Sequence, residues 1–177
     1  DHFISGFLIG EHFAENGYKN IAIIGGPENL KMSALRIEGC IEGLKSACIE
    51  VAKENIIHCN LDREREIAAV SNLLLKAARP DAIFCIYDHG ATEILKFLQK
   101  RNIKIPEEIA VAGCGNDPIS DYLKPRLTTI DQQPHKLGEL AAEILVNEII
   151  TQSNGQPIRQ VLRPRLLARE STLKPIL

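Results

Sequence analysis

The sequence predicts an α/β fold built on a doubly wound parallel sheet. Three observations carry that expectation. Short runs of consecutive apolar residues, Ile21-Ala22-Ile23-Ile24, Ala82-Ile83-Phe84-Cys85-Ile86 and Ile109-Ala110-Val111-Ala112, recur along the chain and read as strands buried on both faces. Stretches with helical apolar spacing separate them. Regular alternation of the two requires crossover connections, which lay helices on both faces of a parallel sheet.

Each element has its own signal. Residues 4–15 place Ile4, Leu8, Ile9 and Phe13 on one helical stripe, and Asn16-Gly17 stops it. The first strand closes at Gly25-Gly26-Pro27. Ser33 is a candidate cap for a second helix reaching about residue 47. Ile56-Ile57-His58-Cys59 reads as a second short strand. Residues 63–78 form a helix with Ile67, Val70, Leu74 and Ala77 on one face, and residues 91–100 a helix behind the third strand. Past Pro125 the rhythm changes. Residues 127–130 are a short extended piece, and Pro134 suits the first turn of a helix reaching about residue 151. Its stripe is Leu137, Leu140, Ala141, Ile144 and Leu145. Asn154-Gly155-Gln156-Pro157 is a turn, residues 158–162 a strand, and Pro164 a break before Leu166-Leu167-Ala168. Ligands of such sheets bind beyond the carboxyl ends of the strands. Those ends are Gly25-Gly26, Tyr87-Asp88 and the stretch from Gly113 to Asp117.

Composition narrows the function. A chain of 177 residues, 45% hydrophobic and 25% charged, suits a soluble domain with one core, or one core and part of a second. The formal net charge of −2 and scattered basic residues argue against a general nucleic-acid surface. No apolar run reaches the length of a membrane helix, and the start lacks a signal-peptide pattern. The five cysteines, Cys40, Cys48, Cys59, Cys85 and Cys114, are odd in number and lack C-x-x-C spacing. Buried free thiols in a reducing compartment, hence a cytoplasmic protein, are expected.

Enzyme motifs fail in turn. Gly113-Cys114-Gly115 follows a strand, but Pro118 stands where a dinucleotide fingerprint needs its third glycine. No phosphate loop or nucleophile elbow is present. The histidines are dispersed without metal-ligand spacing, so no cofactor and no metal are expected. Asp88-His89 could form an acid–base couple at a strand end. Adjacent residues at a helix start point different ways, however, and Asp88 is placed as an N-cap. Binding of a small polar ligand remains, which needs planar donors and acceptors converging from several strand ends. Arg36, early in the second helix and near the end of the first strand, can project its guanidinium into that crevice. An Arg on a helix is otherwise ordinarily solvated.

Two stretches carry a family resemblance. Pro125-Arg126-Leu127-Thr128-Thr129-Ile130-Asp131-Gln132-Gln133-Pro134 and Leu166-Leu167-Ala168-Arg169-Glu170-Ser171-Thr172 resemble signatures of the lactose/galactose-repressor family of bacterial transcription regulators, at that family's relative spacing. Inside the chain, Ser33-Ala34-Leu35-Arg36-Ile37-Glu38-Gly39 resembles the family motif whose Arg holds the effector. Tyr87-Asp88-His89-Gly90-Ala91 resembles the stretch after the third strand, with Tyr87 replacing a small polar contact. Gly113 to Asp117 resembles a Gly-aromatic-Asp-Asp/Asn stretch whose first Asp grips ligand hydroxyls. Here Cys114 replaces the aromatic and Gly115 replaces that Asp. Asn116 or Asp117 could supply the lost acceptor, although Asp117-Pro118 also suits the start of a helical turn. Gln132 fills the place of a crossover Gln at the cleft floor, or is a polar linker residue.

The resemblance spans residues 1–172 and implies a periplasmic-binding-protein-like architecture: one complete subdomain plus C-terminal elements of the other. Residues 1–130 would be the second effector-binding subdomain, 131–163 a helix and strand of the first, and 164–177 the return strand and tail. It implies an effector domain of a transcription regulator that binds a small polar ligand, a sugar or sugar derivative, between the subdomains. Arg36, Tyr87, Asp88, Asn116, Asp117 and Gln132 are the candidate contacts. Binding would control, allosterically, a DNA-binding head upstream of Asp1. A homodimer through residues 63–78, 91–100 and the segment around Tyr122 is implied, with operator DNA touched only by the head and no membrane partner. A solute-binding protein of a sugar transport system would share the fold, although the Arg169–Thr172 ending and free cysteines speak against it. An α/β enzyme is the third option.

Overall fold

The computed structural model describes residues 1–151 and 157–173. The chain runs α1 (His2–Glu15), β1 (Ile21–Gly25), α2 (Lys31–Lys45), β2 (Ile56–His58), α3 (Arg63–Leu74), β3 (Ala82–Cys85), α4 (Asp88–Lys100), β4 (Ala110–Ala112), β5 (Thr129–Asp131), α5 (Pro134–Thr151) and β6 (Arg165–Leu167). Four strands form a parallel sheet in the order β2-β1-β3-β4. Ala112 adds a parallel bridge to Thr128, and β5 pairs antiparallel with β6.

Alternate residues of the strands enter two cores, as a sheet covered on both faces requires. Ile21, Ile23, Phe84 and Ala112 pack with Ile9, Phe13, Cys40 and Leu44 of α1 and α2. Ala22, Ile24, Ile83 and Val111 pack with Val70, Leu73, Ile94 and Leu98 of α3 and α4. The doubly wound parallel sheet expected from the sequence is the observed fold. On the first face α1 and α2 touch backbone to backbone. A Cβ on Gly6 would lie 1.9 Å from the Arg36 carbonyl oxygen, and one on Gly39 would lie 2.0 Å from that of Phe3. This close crossing sets the first turn of α1 beside the Arg36 side chain.

Several boundaries differ from the sequence reading. Ser33 is not a cap: α2 begins at Lys31 after Leu30, which makes no side-chain capping bond. Ser33 instead accepts the Gly26 N–H at 3.0 Å, tying α2 to the exit of β1. The third helix ends at Leu74, short of residue 78, where the Leu75 and Lys76 N–H groups turn back onto the Asn72 and Leu73 carbonyls and tighten the last turn. Its buried face is Glu66, Ala69, Val70 and Leu73, with Ala77 exposed. Tyr87 occupies the N-cap of α4 and Asp88 its first helical position, so Asp88 does not cap. The extended piece at 127–130 is observed two residues later, as β5. Residues 158–162 are not a strand; Ile158 and Val161 are exposed, and no described strand lies beside them to complete a ladder. Of the turn at 154–157, residues 154–156 lie outside the described ones. Pro134 does open α5, but none of that helix's residues is buried.

Candidate effector site

The carboxyl ends of β1, β3 and β4 bring Arg36, Tyr87, Asp88, Asn116 and Asp117 to one end of the sheet, whereas Gln132 lies beyond β5. Arg36 lies on the second turn of α2 and is only 4% exposed. Its Nη1 donates to the Ile86 carbonyl at the exit of β3, and Nη2 lies 3.5 Å from His2 Nδ1. Its Nε is buried without a hydrogen-bond partner among the described residues. Burial lowers the pKa of His2, and the neighbouring Arg36 adds to that shift.

The next exit carries Tyr87 and Asp88, which face different work. The Tyr87 hydroxyl donates to Glu66 Oε1 on α3, so it is committed away from a ligand. Burial pushes the Glu66 carboxyl up, opposed by that hydrogen bond. Asp88 is 1% exposed. Its Oδ1 accepts from the Thr129 hydroxyl at 2.6 Å and its Oδ2 from the Asp117 N–H at 2.8 Å. Burial pushes its carboxyl up, while the bonds from Thr129 and Asp117 pull the other way. Asp88 therefore pins the loop after β4 to β5. Gly113 is needed beneath it, because a Cβ there would sit 2.2 Å from Asp88 Oδ1.

That loop is held in an uncommon conformation. Gly115 has φ +150° and Asn116 φ +56°, the region where glycine and asparagine are tolerated. The Gly115 N–H reaches the Ile130 carbonyl at 3.0 Å, and the Asn116 N–H the Thr129 hydroxyl at 3.1 Å. The Asn116 side-chain oxygen accepts from Arg169 Nη2 at 3.1 Å. Arg169 also donates from Nη1 to Ser120 Oγ at 2.9 Å and to the Leu127 carbonyl at 2.8 Å. Its Nε lies 3.4 Å from Asp121. Asp117 precedes the turn Pro118–Asp121 as expected, makes no side-chain cap bond, and is exposed.

Gln132 is half-buried beyond β5, but its neighbour Gln133 makes the crossover contacts. Gln133 donates to the Arg163 carbonyl at 2.7 Å and accepts from Arg165 at 2.6 Å, joining the two crossing segments. A cleft of about 750 Å³ opens here, lined by Asn116, Asp117, Asp131, Gln133, Lys136 and Arg165 among others. Of the candidates, Asn116 and Asp117 line it; Arg36, Tyr87, Asp88 and Gln132 do not. The positioning roles of Arg169 and Gln133 escaped the sequence reading, although both lie inside the two stretches that carried the resemblance. Among the described residues, no cluster of His, Cys, Asp and Glu could hold a metal ion. No described helix is long and apolar enough to cross a membrane.

Comparison with known proteins agrees with the α/β fold. Residues 11–172 match the periplasmic binding protein-like domain. The HTH-type transcriptional repressor PurR of Actinobacillus pleuropneumoniae serotype 3 is 32% identical over 170 residues, covering 96% of this chain and 51% of the relative. PurR of Escherichia fergusonii is 30% identical over 169 residues, covering 96% and 49%. The chain thus spans about half the length of these relatives. Among solved structures, a LacI-type regulator from Bacillus cereus subsp. cytotoxis superposes with a TM-score of 0.87 at 28% identity, covering 100% of this chain and 62% of that one. The CelR regulator in complex with cellobiose gives 0.86 at 27% identity, covering 97% and 52%. These relatives are named as transcription regulators, not enzymes. The chain belongs to the periplasmic binding protein-like family, as part of an effector domain of the lactose/galactose-repressor type.

Proposed function

We propose that this chain senses a small polar effector for a bacterial transcription regulator, holding it at the strand exits between this subdomain and a first subdomain lying upstream. The carrying observation is Arg36, a buried guanidinium at the exits of β1 and β3 with an Nε that no described residue satisfies. The cellobiose in the CelR complex supports a carbohydrate-class ligand. Residues 1–130 form the second subdomain in this reading, 131–163 belong to the first, and 164–177 return from it. Arg36, Asn116, Asp117 and Gln132 contact the effector, with Tyr87 offering its ring and Asp88 holding the loop. Effector binding changes the relation of the subdomains, and a homodimer transmits that change to an upstream head that binds operator DNA in the cytoplasm. The ligand must therefore have different affinity for the two arrangements.

The test is a calorimetric and thermal-shift screen of sugars, sugar phosphates and nucleobases on the full-length protein, repeated with Arg36→Lys. A point charge cannot reproduce the planar fork of Arg, so effector binding is expected to weaken by about 1.5–3 kcal/mol. Unchanged affinity in a folded Arg36→Lys protein removes Arg36 from the site. A ligand that leaves operator affinity unaltered refutes the sensing role.

A further inference from the structure

Glu66 is a buried carboxyl group that no cation meets. It lies in the first turn of α3 at 1% exposure, and the ion pairs among the described residues all involve other side chains. The Tyr87 hydroxyl is the one donor that reaches it among those residues. A single neutral donor does not replace the water lost around an ionised carboxylate. The protonated acid carries no charge, and such a site favours it.

The neighbours fit closely around this pair. Gly90, in the first turn of α4, leaves it room: a Cβ there would lie 2.6 Å from Cys85 Sγ and 2.9 Å from both Glu66 Oε2 and Tyr87 Cζ. The two thiols beside the carboxyl stay neutral, since burial pushes Cys59 up to about 11 and Cys85 well above its ordinary value. Exposed Arg65 acts on Cys59. Burial is the largest influence on Glu66 itself and pushes its carboxyl up. Asp62, at the helix N-cap, adds to that; the Tyr87 hydroxyl and the exposed His89 of α4 pull it down. Tyr87 caps α4 at the exit of β3, so the contact ties the start of α3 to that exit.

We propose that Glu66 and Tyr87 form a proton-controlled latch between α3 and the exit of β3. Protonated, Glu66 stays in the core and holds the Tyr87 hydroxyl. Ionised, it is drawn towards water with the first turn of α3, and Tyr87 is released at the strand exit. The folded protein holds this proton above the ordinary 4.5 of a Glu carboxyl. The latch therefore stabilises fully below pH 4.5, and its contribution is lost as pH rises through the folded-state value. It needs nothing bound at the strand exits, so it stands or falls apart from the effector reading.

Hydrogen exchange on the ligand-free full-length protein, corrected for the intrinsic pH dependence of exchange, tests it. Residues 63–70 are expected to be less protected at pH 8 than at pH 5. Their opening equilibrium should rise about tenfold for each unit by which the carboxyl is raised. Glu66→Gln keeps a carbonyl acceptor for Tyr87 but cannot ionise, and should remove the difference. Tyr87→Phe deletes the bond that pulls the carboxyl down and should move the change to higher pH.

Equal protection at the two pH values in the wild type overturns the latch, as does an unchanged pH dependence in Glu66→Gln. A dependence that survives in Glu66→Gln and disappears in His89→Gln assigns the titration to His89 and overturns it too. If Glu66→Gln does not fold, Tyr87→Phe decides: a pH midpoint that stays where the wild type has it shows that the hydroxyl does not act on the carboxyl, and the latch is refuted.

Discussion

His12 and Thr172 stand 160 residues apart in the chain and are joined by a buried 2.7 Å hydrogen bond. The Asn16 amide lies 3.2 Å from His12 Nδ1; with the amide nitrogen as donor, Nε2 is assigned the proton and donates to Thr172. Thr172 Oγ1 in turn lies 2.6 Å from Thr128 Oγ1, and the Tyr18 hydroxyl donates to the Thr172 carbonyl at 2.9 Å. Ser171 bridges the Val111 carbonyl and the Thr128 N–H. The closing motif Arg169-Glu170-Ser171-Thr172 thus locks the returning segment to α1, β4 and the start of β5.

This network gives a pH dependence. Burial lowers the pKa of His12 below its ordinary 6.5, with Glu15 opposing weakly. The unfolded chain therefore binds a proton more readily than the folded one, so His12 favours the folded state above pH 6.5 and its contribution declines as pH falls below that. In urea unfolding, the stability difference between the wild type and His12→Gln should narrow from pH 7.5 to pH 5.5. A difference that stays constant or widens would show that His12 does not titrate as a buried neutral ring.

Asn116 and Asp117 should separate stability from binding. Asn116→Ala strips Arg169 of one acceptor, a hydrogen bond to a charged group worth about 1.5–3 kcal/mol, and should lower the unfolding midpoint. Asp117→Ala removes an exposed side chain while keeping the backbone N–H that Asp88 holds, so stability should shift by no more than about 0.5 kcal/mol. Both should weaken the effector in calorimetry. Normal affinity in both variants would take the loop out of the site and leave recognition to Arg36 and the upstream subdomain.

The sequence disclosed what depends on periodicity and failed where long-range pairing decides. Ile21 to Ile24 and Ala82 to Cys85 were legible as strands because every residue is apolar, and both faces are in fact covered. Arg36 was legible as a residue able to reach the strand exits. The wrong role for Ser33 and the cap role for Asp88 share one cause: a small polar residue near a helix start satisfies whichever donor lies closest, and here those donors are Gly26, Thr129 and Asp117, 7 to 41 residues away. Arg169 was visible only as a motif letter, since its partners Asn116, Ser120 and Leu127 come together only in the fold. Residues 158–162 have strand-like composition, but a strand exists only where a neighbour pairs with it.

The outer face of α3 and α4 should join two copies. Ile67 is only part-buried, Arg101 stacks 4.5 Å over the Phe97 ring, and Tyr122 is 82% exposed. Apolar and cationic groups combined in this way suit the centre of a protein interface. Light scattering of the full-length protein is expected to give a homodimer, and Phe97→Glu or Tyr122→Asp to shift it towards monomer. A wild type that is entirely monomeric at micromolar concentration refutes the arrangement.

The last expectation concerns α5. Leu137, Leu145, Val146, Ile149 and Ile150 are each more than half exposed, and no residue of the helix is buried. Each large apolar side chain left in water forgoes roughly 1.5–3 kcal/mol of burial, and an isolated helix of such length is marginal. In the full-length protein this face is expected to pack on the first subdomain. In the 177-residue chain studied alone, α5 should then be the helix whose amides exchange fastest, unless another copy covers it. Hydrogen exchange on a sample verified as monomeric separates the cases. Protection of α5 equal to that of α1 and α2 in such a monomer would mean that the helix packs on the second subdomain, and the division at residue 130 would be wrong.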